Sequence, residues 1–371
     1  MGRLILRPAP VGNSLEANWQ TRQATVTGQG GTVIRAWRPN TYADVEDYIA
    51  RPNGVSLGSA RGPWPGGSYS FGTGDGAAYN WSNVCWKLDP TIKRSGAYSY
   101  HSRIPAGQGS SAGGHLRFNW IDNFTDSTAR NAAYGLPGTT RYIQFLFRCN
   151  AAIFNIVADG GDGGFKQMII GSGDQTSGPP SQPSAADNFS SCTDIEVVAN
   201  AMGFNRCLGR GIGAYHSCGQ FPGYEDWVAN DGPTRLQSAV AGCVYPDPGD
   251  GNPGCVRFIA DTWCCIEIEI KVVSYSPKRG RLRLWASPDV DAQDAILLAD
   301  TNTLSYGADN FPLVVPENGP SGPGYYGKCW LLNYCTGLSS AGANYDCHWS
   351  EVLVTDKWIP FPANPTRTTP P

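Results

Sequence analysis

Hydrophobic and polar residues alternate through the middle of this chain. In residues 141–149 (RYIQFLFRC), Ile143, Phe145, Phe147 and Cys149 fall on one side, with Tyr142, Gln144 and Arg148 on the other. In residues 263–273 (WCCIEIEIKVV), Ile266, Ile268, Ile270 and Val272 alternate with Cys265, Glu267, Glu269 and Lys271. A period of two with one apolar side predicts strands of a half-buried antiparallel sheet. The runs 165–171 (FKQMIIG), 192–200 (CTDIEVVAN) and 211–219 (GIGAYHSCG) are short, rich in β-branched and aromatic residues, and bounded by turn-forming residues, so they read as strands too. The polar side of such a sheet is expected to be wet, and function is expected there or on the long loops.

The same signals continue on both flanks. Residues 81–107 (WSNVCWKLDPTIKRSGAYSYHSRIPAG) read as a strand, an Asp-Pro turn, a Ser-Gly turn and a second strand; residues 113–120 (GGHLRFNW) give another. Residues 274–280 form a hairpin loop into 281–287 (RLRLWAS). That hairpin would set Glu267, Glu269 and Lys271 near Arg281 and Arg283, as a solvated ladder worth a few tenths of a kcal/mol per pair. Strands are also predicted in 295–300, 325–337 and 345–355, and the loop 305–324 is long for a compact domain. Helical periodicity is scarce. The best helical candidate is 42–50 (YADVEDYIA), and a second, at 226–242, is interrupted by a Gly-Pro pair. The chain therefore divides into an extended N-terminal arm (1–75), a β-sandwich (76–361) and a Pro/Thr-rich C-terminal tail (362–371). Arms and tails are ordered only when something ties them down, and here both ends are expected to pack against neighbouring chains.

Composition supports an all-β reading: 46 glycines and 28 prolines in 371 residues favour turns and loops over helices. A net charge of −3 with no Lys/Arg cluster argues against nucleic acid as a partner. No apolar run approaches the roughly 20 residues that span a bilayer. The short apolar patch near Ile5 is broken by Arg7 and Pro8, unlike the core of a secretory signal. There are 12 cysteines but no Cys-x-x-Cys and only 4 histidines, so no zinc motif is read and no metal site is assigned. Several disulfides plus some buried thiols are expected instead. Cys243 and Cys255 bracket one loop, and Cys192 and Cys218 sit at neighbouring strand ends. A bridge closing a loop of that size stabilises by roughly 3 kcal/mol in the chain-entropy model. The vicinal Cys264 and Cys265 face opposite ways and are not expected to pair with each other.

Several of these segments carry a resemblance. KLDPTIKRSGAYSYHSRIPAG, then FKQMIIGSGD, SCTDIEVVAN, AYHSCG, KCWLLNYCTG and HWSEVLVTDKWIPFP resemble, in order, the concanavalin A-like lectin/glucanase jelly rolls, which include laminin-G-type and polysaccharide-lyase-type domains of bacterial and bacteriophage proteins. The resemblance spans roughly residues 81–361. It implies an all-β, antiparallel two-sheet jelly-roll sandwich, with sugar bound across the concave sheet in the members that bind it. The fold hosts lectins, hydrolases, lyases and structural modules alike.

That frame leaves several chemistries open. Jelly-roll glucanases carry carboxylates in an E-x-D-x-E pattern on one strand; Asp194 and Glu196 fit two of its positions, but Val198 stands at the third. Glu267 and Glu269 share a side and are followed by Lys271. A β-eliminating lyase needs a Tyr or His base and a cation or amide to neutralise a uronate carboxylate. Tyr215, His216, Glu196, Lys166, Gln167 and Arg148 are the candidates, while the Gln-x-His and Tyr-x-Lys motifs of similar lyases are read as not intact. Trp263, Trp285, Trp330, Tyr334 and Trp349 are candidate sugar platforms, each also suited to a core. No cofactor is assigned; calcium is entertained at the Gly/Asp-rich loops 158–164 and 247–252. The leading expectation is a structural or accessory protein of a bacteriophage particle, located on the virion. Its partners would be other virion proteins, copies of itself and host surface polysaccharide. The alternative is a polysaccharide-degrading enzyme, a lyase before a glycoside hydrolase.

Overall fold

The computed structural model describes residues 12–39, 56–57, 70–71, 84–107, 115–119, 138–155, 159, 164–172, 195–200, 211–216, 259–275, 278–300, 326–335 and 338–371. After helix α1 (Gly12–Gly28) come strands β1 (Val33–Trp37), β2 (Ser56–Leu57), β3 (Ser70–Phe71), β4 (Val84–Asp89), β5 (Ser99–Ile104), β6 (His115–Asn119) and β7 (Thr140–Cys149). Next are β8 (Gly164–Ser172), β9 (Ile195–Asn200), β10 (Gly211–His216), β11 (Cys264–Tyr275), β12 (Lys278–Ser287), β13 (Ile296–Asp300), β14 (Tyr326–Cys335) and β15 (Tyr345–Thr355). They form two sheets. One has nine strands in the order β13-β12-β11-β7-β15-β5-β4-β3, with β1 also on β15; the other has six in the order β10-β9-β8-β14-β6-β2. Every pairing among the described residues is antiparallel except the two-residue β3 against β4. The architecture is all-β and antiparallel, as the alternation predicts, and it is the two-sheet jelly-roll sandwich that the resemblance implies.

The inner side of the nine-stranded sheet holds the apolar set read from the sequence. Ile143, Phe145, Phe147, Ile266, Ile268, Ile270, Leu282, Leu284, Tyr100 and Trp349 are all buried, as are Met168, Ile170 and Leu331 from the other sheet. Polar bonds tie the layers: the Trp349 indole N–H donates to the Gln167 carbonyl at 3.1 Å, and the Asn333 amide donates to the Tyr345 carbonyl at 3.0 Å.

The outer side of this sheet is not wet. Helix α1 and the C-terminal segment cover it, packing Trp19 and Val26 with Leu353 and Ile359, and Trp358 and Phe361 with Leu146, Cys265 and Trp285. The helix ends in a Schellman turn. Gly31 N–H donates to the Val26 carbonyl at 3.0 Å, Gly30 N–H to Thr27 at 2.9 Å, and Gly30 has φ 72°. The Asn18 amide donates to the Pro362 carbonyl and the Thr25 hydroxyl to Pro365, at 2.6 and 2.9 Å. Helix α1 and the C-terminal tail are thus held by their own chain. Residues 12–28, expected as part of an extended arm, are helical; the proposed helices at 42–50 and 226–242 lie outside the described residues.

Polar side chains beneath this cover are paired. Arg22 forms an ion pair with Glu351 and donates to Gln144 at 2.5 Å; Gln144 donates to Glu267 at 2.7 Å and to the Ile359 carbonyl at 3.1 Å. The Ile359 N–H donates to Glu267 at 3.2 Å. Burial pushes the Glu267 carboxyl well above its ordinary pKa, against the bonds from Ile359 and Gln144. The predicted hairpin forms with Glu269 opposite Arg283 as an ion pair, but Glu269 is 2% exposed. The acids of the ladder, Glu267 and Glu269, are buried rather than solvated, while Lys271, Arg281 and Arg283 are half-buried. Cys149, Cys264, Cys265 and Cys347 are all buried. The candidate bridge residues Cys192, Cys218, Cys243 and Cys255 lie outside the described residues. No helix among the described residues is long and apolar enough to cross a membrane.

Candidate functional site

The six-stranded sheet brings several of the sequence candidates together. Its register runs in one row across five strands: Tyr215 on β10 opposite Glu196 on β9, then Ile169 on β8, Trp330 on β14 and Arg117 on β6. Further along the strands, Lys166 on β8 stands opposite Tyr334 on β14 and Val198 on β9. Antiparallel partners of this kind have Cα atoms about 4.5–5.5 Å apart. Lys166 and Tyr334 are therefore immediate neighbours, and the Tyr215–Glu196 pair lies within two strands. His216 pairs with Ile195, one position on from Tyr215. β14 also carries Tyr326-Gly327-Lys328, a Tyr-x-Lys spacing that the reading of the sequence passed over, with Lys328 opposite Gly171 and Asn119.

Two other lyase candidates are placed elsewhere. Gln167 is fully buried between the sheets, where a register shift in β8 separates Lys166 from Met168. Arg148 belongs to the nine-stranded sheet, where it donates to the Asp261 carbonyl at 2.9 Å and pairs with its carboxylate at 3.0 Å. Neither joins Lys166 and Tyr215. The acid pair Glu267 and Glu269 is buried under the C-terminal segment, so no substrate reaches it as a hydrolytic pair. Asp194 lies outside the described residues.

The platform candidates divide as well. Trp349 is buried against Phe147, with ring centroids 5.1 Å apart, and Trp285 is buried against Trp358 at 5.0 Å. These two indoles fill cores and present no face to a sugar. Trp263 is half-buried beside the Trp285 cluster. Trp330 and Tyr334 occupy the register positions given above. In the Gly/Asp-rich loop at 158–164, the Asp159 carboxylate accepts from the Gly342 N–H at 2.8 Å and from the Tyr345 hydroxyl, a structural tie. The other calcium candidate, 247–252, lies outside the described residues.

A polar cluster that the sequence did not reveal lies in the nine-stranded sheet. Register places Arg148, His348, His101 and Lys87 in one row over β7, β15, β5 and β4. His101 and His348 are 3% and 2% exposed and stack with ring centroids 4.1 Å apart. Asp89 Oδ1 accepts the Thr91 and Ile92 N–H groups at 2.7 and 3.1 Å. Its Oδ2 lies 3.3 Å from His348 Nε2 and 3.5 Å from His101 Nδ1. His101 Nε2 meets Asp346 at 2.7 Å, and Arg103 holds Asp346 through two bonds of 2.6 and 3.1 Å. Burial opposes charge on both acids. At Asp89 the bonds from His348, Ile92 and Thr91 win and hold the carboxyl well below its usual range; at Asp346 those from His101 and Arg103 lower it to about 2. Burial lowers the pKa of His348 despite Asp89, which favours the neutral ring.

No protein-family model matches this chain, and no curated protein sequence is similar to it. Among solved structures, it is similar to a marine PL-14 alginate lyase from Aplysia kurodai, at 11% identity and TM-score 0.46 over 87% of this chain and 98% of that one. An endo-β-1,4-glucuronan lyase from the fungus Trichoderma reesei aligns at 10% identity and TM-score 0.40, over 75% and 90% of the two chains. The alginate lyase vAL-1 from Chlorella virus aligns at 11% and 0.36, over 72% and 88%. Likenesses this distant say nothing of the chemistry of the present chain.

Proposed function

We propose that this chain is a β-eliminating lyase acting on uronate-containing polysaccharide across its six-stranded sheet. One observation carries the reading: the register sets Lys166 directly opposite Tyr334, with Glu196 on the next strand, Tyr215 on the one beyond it, and Arg117 and Trp330 on the other flank. Elimination removes the proton α to the uronate carboxylate, forms a carbon–carbon double bond next to it and expels the β-glycosidic oxygen, which takes up a proton. The protein must supply a base, a proton donor and a cation for the carboxylate. Tyr334 or Tyr215 fits the proton-transfer role. Lys166, with Arg117 in the same sheet, fits the role of neutralising the carboxylate. Trp330 fits a stacking platform.

Of the two acid pairs considered for hydrolysis, Glu267 and Glu269 are buried and do not serve. The reading as a structural protein of a virion drew in part on an arm and tail held by neighbouring chains, whereas helix α1 and the C-terminal segment pack on the chain itself. The test is incubation with alginate and glucuronan while following the ultraviolet absorbance of new unsaturated uronates. Turnover that falls about 10²–10⁴-fold in Tyr334→Phe or Tyr215→Phe supports the assignment. Turnover unchanged in both, and in Lys166→Ala, would overturn it.

A further inference from the structure

We propose that Cys149 and Cys347 form a redox-sensitive disulfide between β7 and β15, the two central strands of the nine-stranded sheet. Register sets the two cysteines directly opposite each other. The Asn150 N–H donates to the Asp346 carbonyl at 3.0 Å, one position beyond the pair on each strand, while the Cys149 carbonyl accepts from the Asp261 N–H at 2.8 Å. The pair is therefore a non-hydrogen-bonded one, in which Cα atoms stand about 4.5 Å apart and side chains are close. A disulfide spans Cα separations of about 4.4–6.8 Å. Both side chains lie on one side of the sheet. The next pair along the strands, Phe147 and Trp349, meets edge to face at 5.1 Å in the core, and Cys149 and Cys347 are 1% and 0% exposed.

The other described cysteines do not compete for this bond. Cys264 stands opposite Phe147 on β11, diagonal to Cys149. Diagonal neighbours are about 7–8 Å apart, at or beyond the roughly 7 Å that a disulfide can bridge without backbone movement. Burial first, and then the nearby Cys149, pushes the Cys264 thiol up, so it stays protonated and attacks poorly. Cys265 packs on the opposite side of the sheet, with Leu146 and Trp285. Register at the pair is pinned by Asn150, whose side-chain oxygen accepts from the Asp346 N–H at 3.3 Å and whose amide donates to the Asn344 carbonyl at 2.9 Å. A small-molecule disulfide such as oxidised glutathione balances the step. The two cysteine sulfurs lose their protons and two electrons and form one S–S bond, and the small disulfide is cleaved to two thiols. Both sulfurs are sealed in the core, so exchange takes place during folding or when the sheets part locally. The bond closes the long loop that contains β8, β9, β10 and β14, four strands of the six-stranded sheet. Long loops are those whose closure restricts the unfolded chain most.

The experiment refolds the whole chain in mixtures of reduced and oxidised glutathione and checks folding by near-ultraviolet circular dichroism. Remaining thiols are then alkylated in denaturant, and the chain is digested and mapped by mass spectrometry without reduction. The expected result is a linked peptide pair joining Cys149 to Cys347 under oxidising mixtures, lost on adding dithiothreitol. The linked form should have the higher Tm. Cys264→Ala should keep both the link and the Tm difference, and Cys347→Ala should lose both. The wild-type map decides even where a variant fails to fold. Alkylation of both Cys149 and Cys347 in the folded chain at every glutathione ratio would overturn the proposal. So would a link from Cys149 to Cys264 or to any other cysteine, or separate glutathione adducts on the two residues.

Discussion

Removing the Arg22 side chain tests whether helix α1 is an integral layer of this fold. Arg22 is fully buried, forms an ion pair with Glu351 (side chain 3% exposed), donates to Gln144 at 2.5 Å and lies 5.4 Å from the Trp19 ring centroid. In Arg22→Met the apolar stem is kept, but the Glu351 carboxylate and the Gln144 carbonyl lose their donor. Leaving one partner of a buried pair uncompensated costs about 3–5 kcal/mol, whereas replacing both partners is often close to neutral. Arg22→Met alone should therefore destabilise by about 3–5 kcal/mol. The double variant Arg22→Met/Glu351→Met should recover at least about 2 kcal/mol of that loss. Equilibrium denaturation of the wild type, both single variants and the double variant gives the coupling. A cost below about 1 kcal/mol, the value of a surface pair, or strictly additive single variants, would show that α1 does not seal the outer side of the sheet.

Three further outcomes follow from the same interior. Glu267 has its folded pKa raised by burial, so its contribution to stability is full below the unfolded carboxyl pKa and lost as pH rises through the folded value; denaturation midpoints for Glu267→Gln should decline less with rising pH than those of the wild type. Asp346 has the opposite sign: its pKa of about 2 stabilises above the unfolded value near 3.8, by on the order of 2 kcal/mol, and that stability is lost on acidification through pH 2. Asp346→Asn should flatten the acid limb of the stability profile. A Cβ at Gly31 would lie 2.5 Å from Lys357 Cγ and 2.9 Å from the Val26 carbonyl oxygen, so Gly31→Ala should cost about 1–3 kcal/mol by thermal denaturation.

The strands were legible because alternation is a local signal. β7 and β11 lie where the period of two places them, and β8, β12 and β15 lie in the other runs read as strands. Helix α1 was not legible, for a specific reason. Its buried positions Trp19, Arg22 and Val26 follow the helical spacing, but one of the three is an arginine, buried in an ion pair with Glu351. The apolar stripe is too thin to register. The same substitution of paired for apolar contacts misled the reading of the sheet, since Gln144, Glu267 and Glu269 alternate like a solvated side yet are buried beneath the segment that carries Trp358 and Phe361. The candidate site divides likewise. Tyr215 and Glu196 are close in space because β9 and β10 are neighbours, which their short separation suggested. Asp89 and His348 are 259 positions apart, and only the pairing of β4, β5 and β15 unites them. No spacing rule reaches that far.

The most direct test of the functional account is the isotopic fate of water during depolymerisation. Alginate and glucuronan are digested by the whole chain in ¹⁸O-labelled water, and the fragments are weighed by mass spectrometry. Elimination predicts that each new non-reducing end is unsaturated, with no label entering at the cleaved bond. Fragments that carry one labelled oxygen per cleavage and no unsaturated end, or polymers left intact under every condition in which the chain is folded, would contradict it.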